Sequence, residues 1–293
     1  MNTKKNQTRR LVVLLLGPSL LFIAIIMLYP LVSSIYLALH NYQLTRPQEI
    51  RLDPLRNLMK LKTDSTFFIS LWNTVIFTFF TVVIGAVLGM IFALVLDQLS
   101  SGFSKLRGVI LMPWVIPGIV VGYLFMYIFD VNVGIVNFFL QSLGIIKDYL
   151  PWLMRGNLAM AAVIIANVWN QTPFYMLMFT AGLKGIPQDA EEAAYAEGAS
   201  RWQEFWYVTF PYLKGIAVIT SLLQIIRNFN NFPVIYTMTG GGPVYSTTTS
   251  VLYIYKVAFE QFNMGYASLI GVIWVVVLLI LSVIYIRVLN KEF

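Results

Sequence analysis

The sequence predicts an all-α membrane protein, six transmembrane helices with a two-helix loop on the cytoplasmic side. Three observations carry this. Apolar residues make up 58% of the chain and charged residues only 11%, against about 45–50% and about 25% in soluble domains. So few charges do not coat a globule in water. Apolar runs of about 20 residues recur from end to end, the length that crosses a hydrocarbon core about 30 Å thick. Lys4, Lys5, Arg9 and Arg10 precede the first of these runs, a pattern that orients the first span with its N-terminus in the cytoplasm.

Taken in order, the spans are expected at 11–39, 71–96, 109–129, 158–183, 216–236 and 267–289. Residues 1–10 then form a basic cytoplasmic N-terminus, and 11–293 a single transmembrane domain. The run 11–39 is too long for a cleavable signal sequence and no Ala-x-Ala-like site follows it, so it is read as a retained helix. An even number of crossings puts both termini in the cytoplasm. The inner segments hold Lys105, Arg107, Lys184, Arg201, Lys214, Arg287 and Lys291 besides the N-terminal cluster. Arg46, Arg51, Arg56, Lys60 and Lys62 in the first outer loop weaken the bias, although Glu49, Asp53 and Asp64 accompany them. Pro113, Pro117 and Pro173 are expected to break the third and fourth spans.

Composition also excludes whole classes of chemistry. With no cysteine, no disulfide, thiol nucleophile or Cys-ligated metal is possible. The single histidine, His40, falls at the end of the first span and does not build a metal site alone. No Asp, Glu, His or Cys lies well inside a span, which removes the acid–base pair, nucleophile or metal of an intramembrane enzyme. No stretch matches the phosphate loop Gly-x4-Gly-Lys-Ser/Thr. The net charge of +7 includes that N-terminal cluster, not a basic, aromatic-studded face of the kind that binds nucleic acid.

The inner segment around Asp97 to Arg107 is short, whereas that from Lys184 to Lys214 is long and polar. Pro187 leads into a helix-favouring run, Gln188 to Glu197, and Gly198 stops it. Asp189, Glu191 and Glu192 lie near the positive end of that helix, where carboxylates are favourable. Ser200 and Gln203 have capping-box spacing and start a second helix. A membrane-surface helix would carry a basic face; this loop is acidic, with Asp189, Glu191, Glu192, Glu197 and Glu204 against Lys184, Arg201 and Lys214. Anionic lipid would repel it, and a protein partner fits better.

Here the residues resemble a known family. Glu192-Ala193-Ala194, three residues, Gly198, nine residues and then Val208-Thr209-Phe210-Pro211 is similar to the EAA loop of ABC importer permeases. The family pattern usually closes on Ile-x-Leu-Pro, so Val208 and Phe210 depart from it, apolar for apolar. Segments of the sugar-importing branch follow in the same order: Leu111-Met112-Pro113-Trp114 with Pro117, Trp169 through Pro173, Ala181-Gly182-Leu183 leading to Ile186-Pro187, and Thr239-Gly240-Gly241-Gly242-Pro243. The resemblance covers nearly the whole chain beyond Leu11 and is weakest in the first outer loop. It implies that loop 184–214 seats in a cleft of a separate ATPase subunit through Ala190, Glu191, Glu192, Ala193, Ala194, Glu197, Gly198, Ala199 and Pro211. It implies further partners: a second, homologous permease, two ATPase copies, and an extracytoplasmic substrate-binding protein near Thr239, Gly240, Gly241, Gly242 and Pro243. Apart from these the chain meets the lipid bilayer and no nucleic acid. It is expected to hold no metal and no cofactor itself, ATP-Mg belonging to the ATPase, and to reside in a bacterial cytoplasmic membrane. The glycine run is expected to be a flexible turn.

The spans also carry polar stripes. Gln224, Arg227, Asn228 and Asn231 share one helical face, and Asn167, Asn170 and Gln171 another. Arg227, placed midway along the fifth span, is costly at the bilayer centre and should face a cavity or a partner. The stripes therefore suggest a hydrated translocation path, with interhelical hydrogen bonding as the competing role. Phe229, Phe232 and Tyr236 could stack on sugar rings. The resulting expectation is a permease subunit importing a sugar or oligosaccharide by alternating access. The alternative is a non-sugar solute such as a glycerol phosphodiester or a polyamine. A secondary carrier is disfavoured because no internal repeat is visible.

Overall fold

The computed structural model describes residues 2–98 and 104–292, so part of the short segment between Asp97 and Arg107 lies outside the described residues, as do the side chains of the basic cluster at 1–10. The protein is almost wholly α-helical. It forms two compact units, one from Met1–Asp64 with Ile254–Val277 and one from Ser65–Tyr253 with Leu278–Phe293.

In the first unit, α1 (Asn2–Ile23) and α2 (Tyr29–Ala38) join through a π-helical turn, Ala24–Leu28. Two-residue strands follow, β1 (His40–Asn41) antiparallel to β2 (Arg51–Leu52), with His40 opposite Leu52. They are the one departure from an all-α chain among the described residues. Then comes α3 (Pro54–Thr63), capped by Asp53, whose carboxylate accepts from the Arg56 amide at 3.2 Å. Buried Asn57 ties this loop down, donating to the carbonyls of Ala38 (2.9 Å) and His40 (3.1 Å). The start of α14 (Met264–Glu292) is fastened to the same loop. Gly265 donates to the Tyr42 carbonyl at 3.0 Å, and the Tyr266 hydroxyl to the Asp64 carboxylate at 2.6 Å.

The second unit contains the functional framework. Helix α4 (Ser65–Gln98) packs along α8 (Gly156–Leu183), the most buried helix of the chain. Close approach is permitted by Gly85 and Gly89: a Cβ on Gly89 would overlap that of Tyr175 and sit 2.9 Å from the Met176 amide nitrogen. Small residues at such spacing are how membrane helices gain contact without a hydrophobic driving force. Helices α5 (Ser104–Val115) and α6 (Gly118–Ile128), then α7 (Ile135–Ser142), lie between them in sequence. After α8 come α9 (Gln188–Ala196), α10 (Arg201–Glu204), a π-turn (Phe205–Thr209), α11 (Phe210–Phe229), α12 (Pro233–Thr239) and α13 (Ser250–Tyr255).

Among the described residues four helices are long and apolar enough to cross a membrane, Leu14–Ala38, Ser65–Gln98, Arg201–Phe229 and Met264–Arg287. Arg107–Val115 with Gly118–Ile128, bent by 101°, counts as a fifth if the pair is one broken span. The remaining expected span, 158–183, is present as the 28-residue α8, but Asn167, Asn170 and Gln171 dilute its apolar character. Some expectations hold and others need correction. The fifth span is two helices, α11 and α12, separated at 230–232, so Arg227 sits in the last turn of α11 and not midway along a span. The third span breaks as expected at 116–117, where Pro117 caps α6, but Pro113 lies inside α5 without ending it. Pro173, by contrast, breaks nothing: α8 runs through it, and the neighbouring Thr172 hydroxyl donates to the Val168 carbonyl at 2.7 Å.

Candidate translocation path and coupling loop

The two polar stripes meet. The side-chain amide of Asn167 donates to the side-chain oxygen of Asn228 at 2.6 Å. Gln171 donates to Asn167 and to Asn228, both at 3.0 Å, and Asn228 returns a bond to the Gln171 oxygen at 3.1 Å. Asn231 donates to Asn167 at 2.7 Å. Asn167, Gln171 and Asn228 are fully buried, so α8 and α11 are joined by a closed amide network in an apolar surround. For these three residues the interhelical role is the one the geometry displays. Gln224, one turn earlier on α11, is also buried, and neither of its amide atoms has a hydrogen-bond partner among the described residues.

Asn170 does different work. Its side-chain nitrogen donates to the carbonyl of Pro113 at 2.6 Å and, more weakly, to that of Ile116 at 3.4 Å. These carbonyls lie beside the 101° bend, where the helical ladder is interrupted; a freed carbonyl inside a membrane must find another donor. Asn170 supplies it, and Trp114 packs against Phe174 at 5.6 Å between ring centroids to hold the same corner.

Beside the bend lies a cavity of about 190 Å³, lined by Gly118, Asn170, Gln171, Arg227, Asn230, Asn231, Pro233 and Val234. Four of the seven residues expected on a path therefore line one space: Asn170, Gln171, Arg227 and Asn231. Asn230, overlooked in the sequence, joins them because the chain leaves helical geometry after Phe229. Arg227 is exposed in the chain and is one of the residues that line this space. Phe232 and Tyr236 stack on each other, centroids 4.9 Å apart, at the start of α12.

The Thr239–Pro243 segment is not the flexible turn expected. Gly240 (φ 55°) and Gly241 (φ 87°) adopt left-handed backbone that suits glycine. The turn is then laced by hydroxyls. Thr239 Oγ1 meets Thr247 Oγ1 at 2.7 Å and accepts from the Gly241 amide at 3.1 Å. Thr247 donates to the Gly242 carbonyl (2.9 Å) and Thr248 to that of Gly241 (2.8 Å). Asn73 on α4 donates to the carbonyls of Tyr245 (2.8 Å) and Thr248 (3.1 Å), while Thr74 Oγ1 accepts from the Ser250 amide (2.9 Å). Sequence reasoning passed over these anchors, though Ser70, Asn73, Thr74, Thr78 and Thr81, all buried, mark a polar face of α4 at helical spacing.

Loop 184–214 follows its prediction only in part: α9 is a separate short helix, whereas α10, expected as a second one, is the first turn of a continuous helix, Arg201–Phe229. Gly198 (φ 75°) ends α9: its amide bonds the Tyr195 carbonyl and that of Ala199 the Ala194 carbonyl, both at 3.0 Å, the paired closure of a Schellman motif. Ser200 and Gln203 form the capping box of α10. Ile186 and Leu213, at either end of the loop, are rooted in a core with Ala93, Tyr175, Phe179 and Leu183. Between these roots α9 buries nothing. Glu191, Glu192, Ala193, Glu197, Gly198 and Pro211 are exposed, Ala190, Ala194 and Ala199 partly so, and Glu192 accepts from Gln188 at 2.8 Å. Tyr195 and Tyr207 are 87% and 80% exposed and Trp202 70%, an aromatic face of the kind enriched where proteins meet.

Residues 85–293 match the model of the binding-protein-dependent transport system inner membrane component, and the chain belongs to that family. It is 32% identical to the trehalose/maltose transport system permease protein of Thermococcus litoralis, over 97% of this chain and 95% of that protein. It is 31% identical to the sulfoquinovosyl glycerol transport system permease protein of Agrobacterium fabrum, over 97% and 92%. In fold it is similar to a chain of the bacterial alginate ABC transporter solved in complex with alginate pentasaccharide-bound periplasmic protein, with a TM-score of 0.81 at 20% identity over 96% and 94%. The protein is thus a multi-pass membrane permease of an ABC importer.

Proposed function

We propose that this chain is the permease subunit of an ATP-driven importer that carries a sugar or oligosaccharide across a bacterial cytoplasmic membrane by alternating access. The observation that carries this is the convergence of residues from both polar stripes, Asn170 and Gln171 with Arg227 and Asn231, beside the broken third span on one cavity. Relatives covering almost the whole chain are named for trehalose/maltose and for sulfoquinovosyl glycerol, both sugars or sugar derivatives.

In this reading α8 is the fourth span and brings the total to six, and both termini lie in the cytoplasm together with α9 and α10. ATP is bound with Mg²⁺ and hydrolysed by two copies of a separate ATPase. The exposed α9, with Glu191, Glu192, Ala193, Ala194 and Glu197, docks in a cleft of one copy. Rooted at Ile186 and Leu213, the loop then transmits ATPase closure to α8 and α11 as a lever. A second permease completes the passage, and an external binding protein delivers cargo near the Thr239–Pro243 turn.

Gentle detergent extraction of the tagged chain, with mass spectrometry of all retained proteins, tests this. An ATPase, a second permease and a binding protein are expected, and the binding protein's ligand panel then identifies the sugar. Recovery of the chain without an ATPase after cross-linking overturns the reading.

A further inference from the structure

The cavity beside the bend holds something that passage of a neutral sugar does not require. Of the residues that line it, Arg227 alone is charged. Among the described residues no carboxylate lies within reach of that depth by position in the fold. Asp97 ends α4, Asp130 follows α6, and Glu204 precedes α11 by more than a turn. A guanidinium inside the membrane is costly unless hydrated or paired.

The amides around it are already committed. Asn170 is spent on the Pro113 carbonyl, Gln171 on Asn167 and Asn228, and Asn231 donates to Asn167. Asn231 belongs to the same lining, and its side-chain oxygen is buried with no partner among the described residues. The one charged side chain of the lining therefore carries a planar cationic fork. At about 190 Å³ the space is well above the roughly 10–15 Å³ that admits one water. A guanidinium takes an oxyanion through two parallel hydrogen bonds, which an ammonium does not.

We propose that Arg227, with Asn231 beside it, makes this cavity a subsite for an anionic group on the cargo, the carboxylate or sulfonate of a sugar acid. This rests on the sugar-import reading above. Neutral sugars lack the group that would pair with this cation, so the site discriminates by charge before it discriminates by ring stereochemistry.

The test uses proteoliposomes holding the complete transporter with its binding protein. Uptake is measured for matched pairs: a neutral disaccharide against the same disaccharide bearing one uronic acid, and a glucoside against its 6-sulfonated analogue. The binding protein is common to all samples, so a change in the ratio between variants belongs to the permease. Wild type is expected to import an anionic member at least about ten-fold faster than its neutral match. R227Q should lower that ratio about ten-fold, and R227K about three-fold or less. Asn230→Asp, which places a carboxylate on the same lining, should lower it as R227Q does, and it decides the matter if R227Q fails to assemble. Import of neutral members only, or a ratio that neither variant alters, overturns this proposal and leaves sugar import standing. Import of neither member of any pair, with transport of a non-sugar solute, overturns both.

Discussion

The seat of α4 on α8 gives a sharp test of the fold. Replacing Gly89 with alanine adds a Cβ that overlaps the Tyr175 Cβ and lies 2.9 Å from the Met176 amide nitrogen, where ordinary contact begins at 3.4 Å. Both obstacles are at or next to backbone, so no side-chain rotation relieves them and the helices themselves must part. Overpacking of this kind costs about 1–3 kcal/mol, and the absence of a flexible neighbour puts Gly89→Ala near the upper end. Alanine's better helix propensity returns about 1 kcal/mol. The net loss of about 2 kcal/mol corresponds to about 3 °C in melting temperature for a chain of 293 residues. Gly108→Ala is the control, since nothing lies within 4 Å of its added Cβ; it should melt at or slightly above wild type. Thermal unfolding of both variants in detergent, followed by tryptophan fluorescence and by size-exclusion recovery, makes the comparison. A Gly89→Ala protein that melts as high as Gly108→Ala would refute the close approach of α4 to α8.

Other expectations follow from the same geometry. Asn167→Ala and Asn228→Ala remove opposite ends of a 2.6 Å bond, so their combined effect on stability should fall short of the sum by about 0.6–1.7 kcal/mol; strict additivity in a double-mutant cycle would contradict the network. The chain has no cysteine, and the Cβ of residue 118 would lie 3.2 Å from that of Pro233, close to the spacing of a disulfide. Gly118→Cys with Pro233→Cys should therefore cross-link under mild oxidant, seen as a shift on non-reducing gels, while either alone should not. Gly198→Val forces a branched residue to φ 75°, costing about 1–2 kcal/mol in the very turn that aims α9, and Glu192→Lys reverses an exposed charge there. Both should reduce recovery of the ATPase with the tagged chain several-fold while leaving membrane insertion intact; undiminished recovery would place the ATPase contact elsewhere.

Much of this molecule was legible in the linear chain because its signals are local. Hydropathy over about 20 residues marks a span, and a capping box or a glycine stop acts within one turn, so Ser200 with Gln203 and Gly198 were readable without any tertiary contact. The polar stripes were readable for the same reason, as faces of helices. What each polar residue does was not. Asn228 bonds residues 61 and 57 positions away, and Asn170 reaches a carbonyl 57 positions away, so their partners depend on how α8, α11 and the bent pair come together. Only that packing separates buried amide links from lining residues, draws Asn230 into the cavity, and turns a glycine run into a rigid turn stitched by Thr247, Thr248 and the distant Asn73. It also decides that Pro117 bends a span while Pro173 leaves α8 whole. A proline inside a helix removes one hydrogen bond, and its neighbours in space determine whether the helix yields.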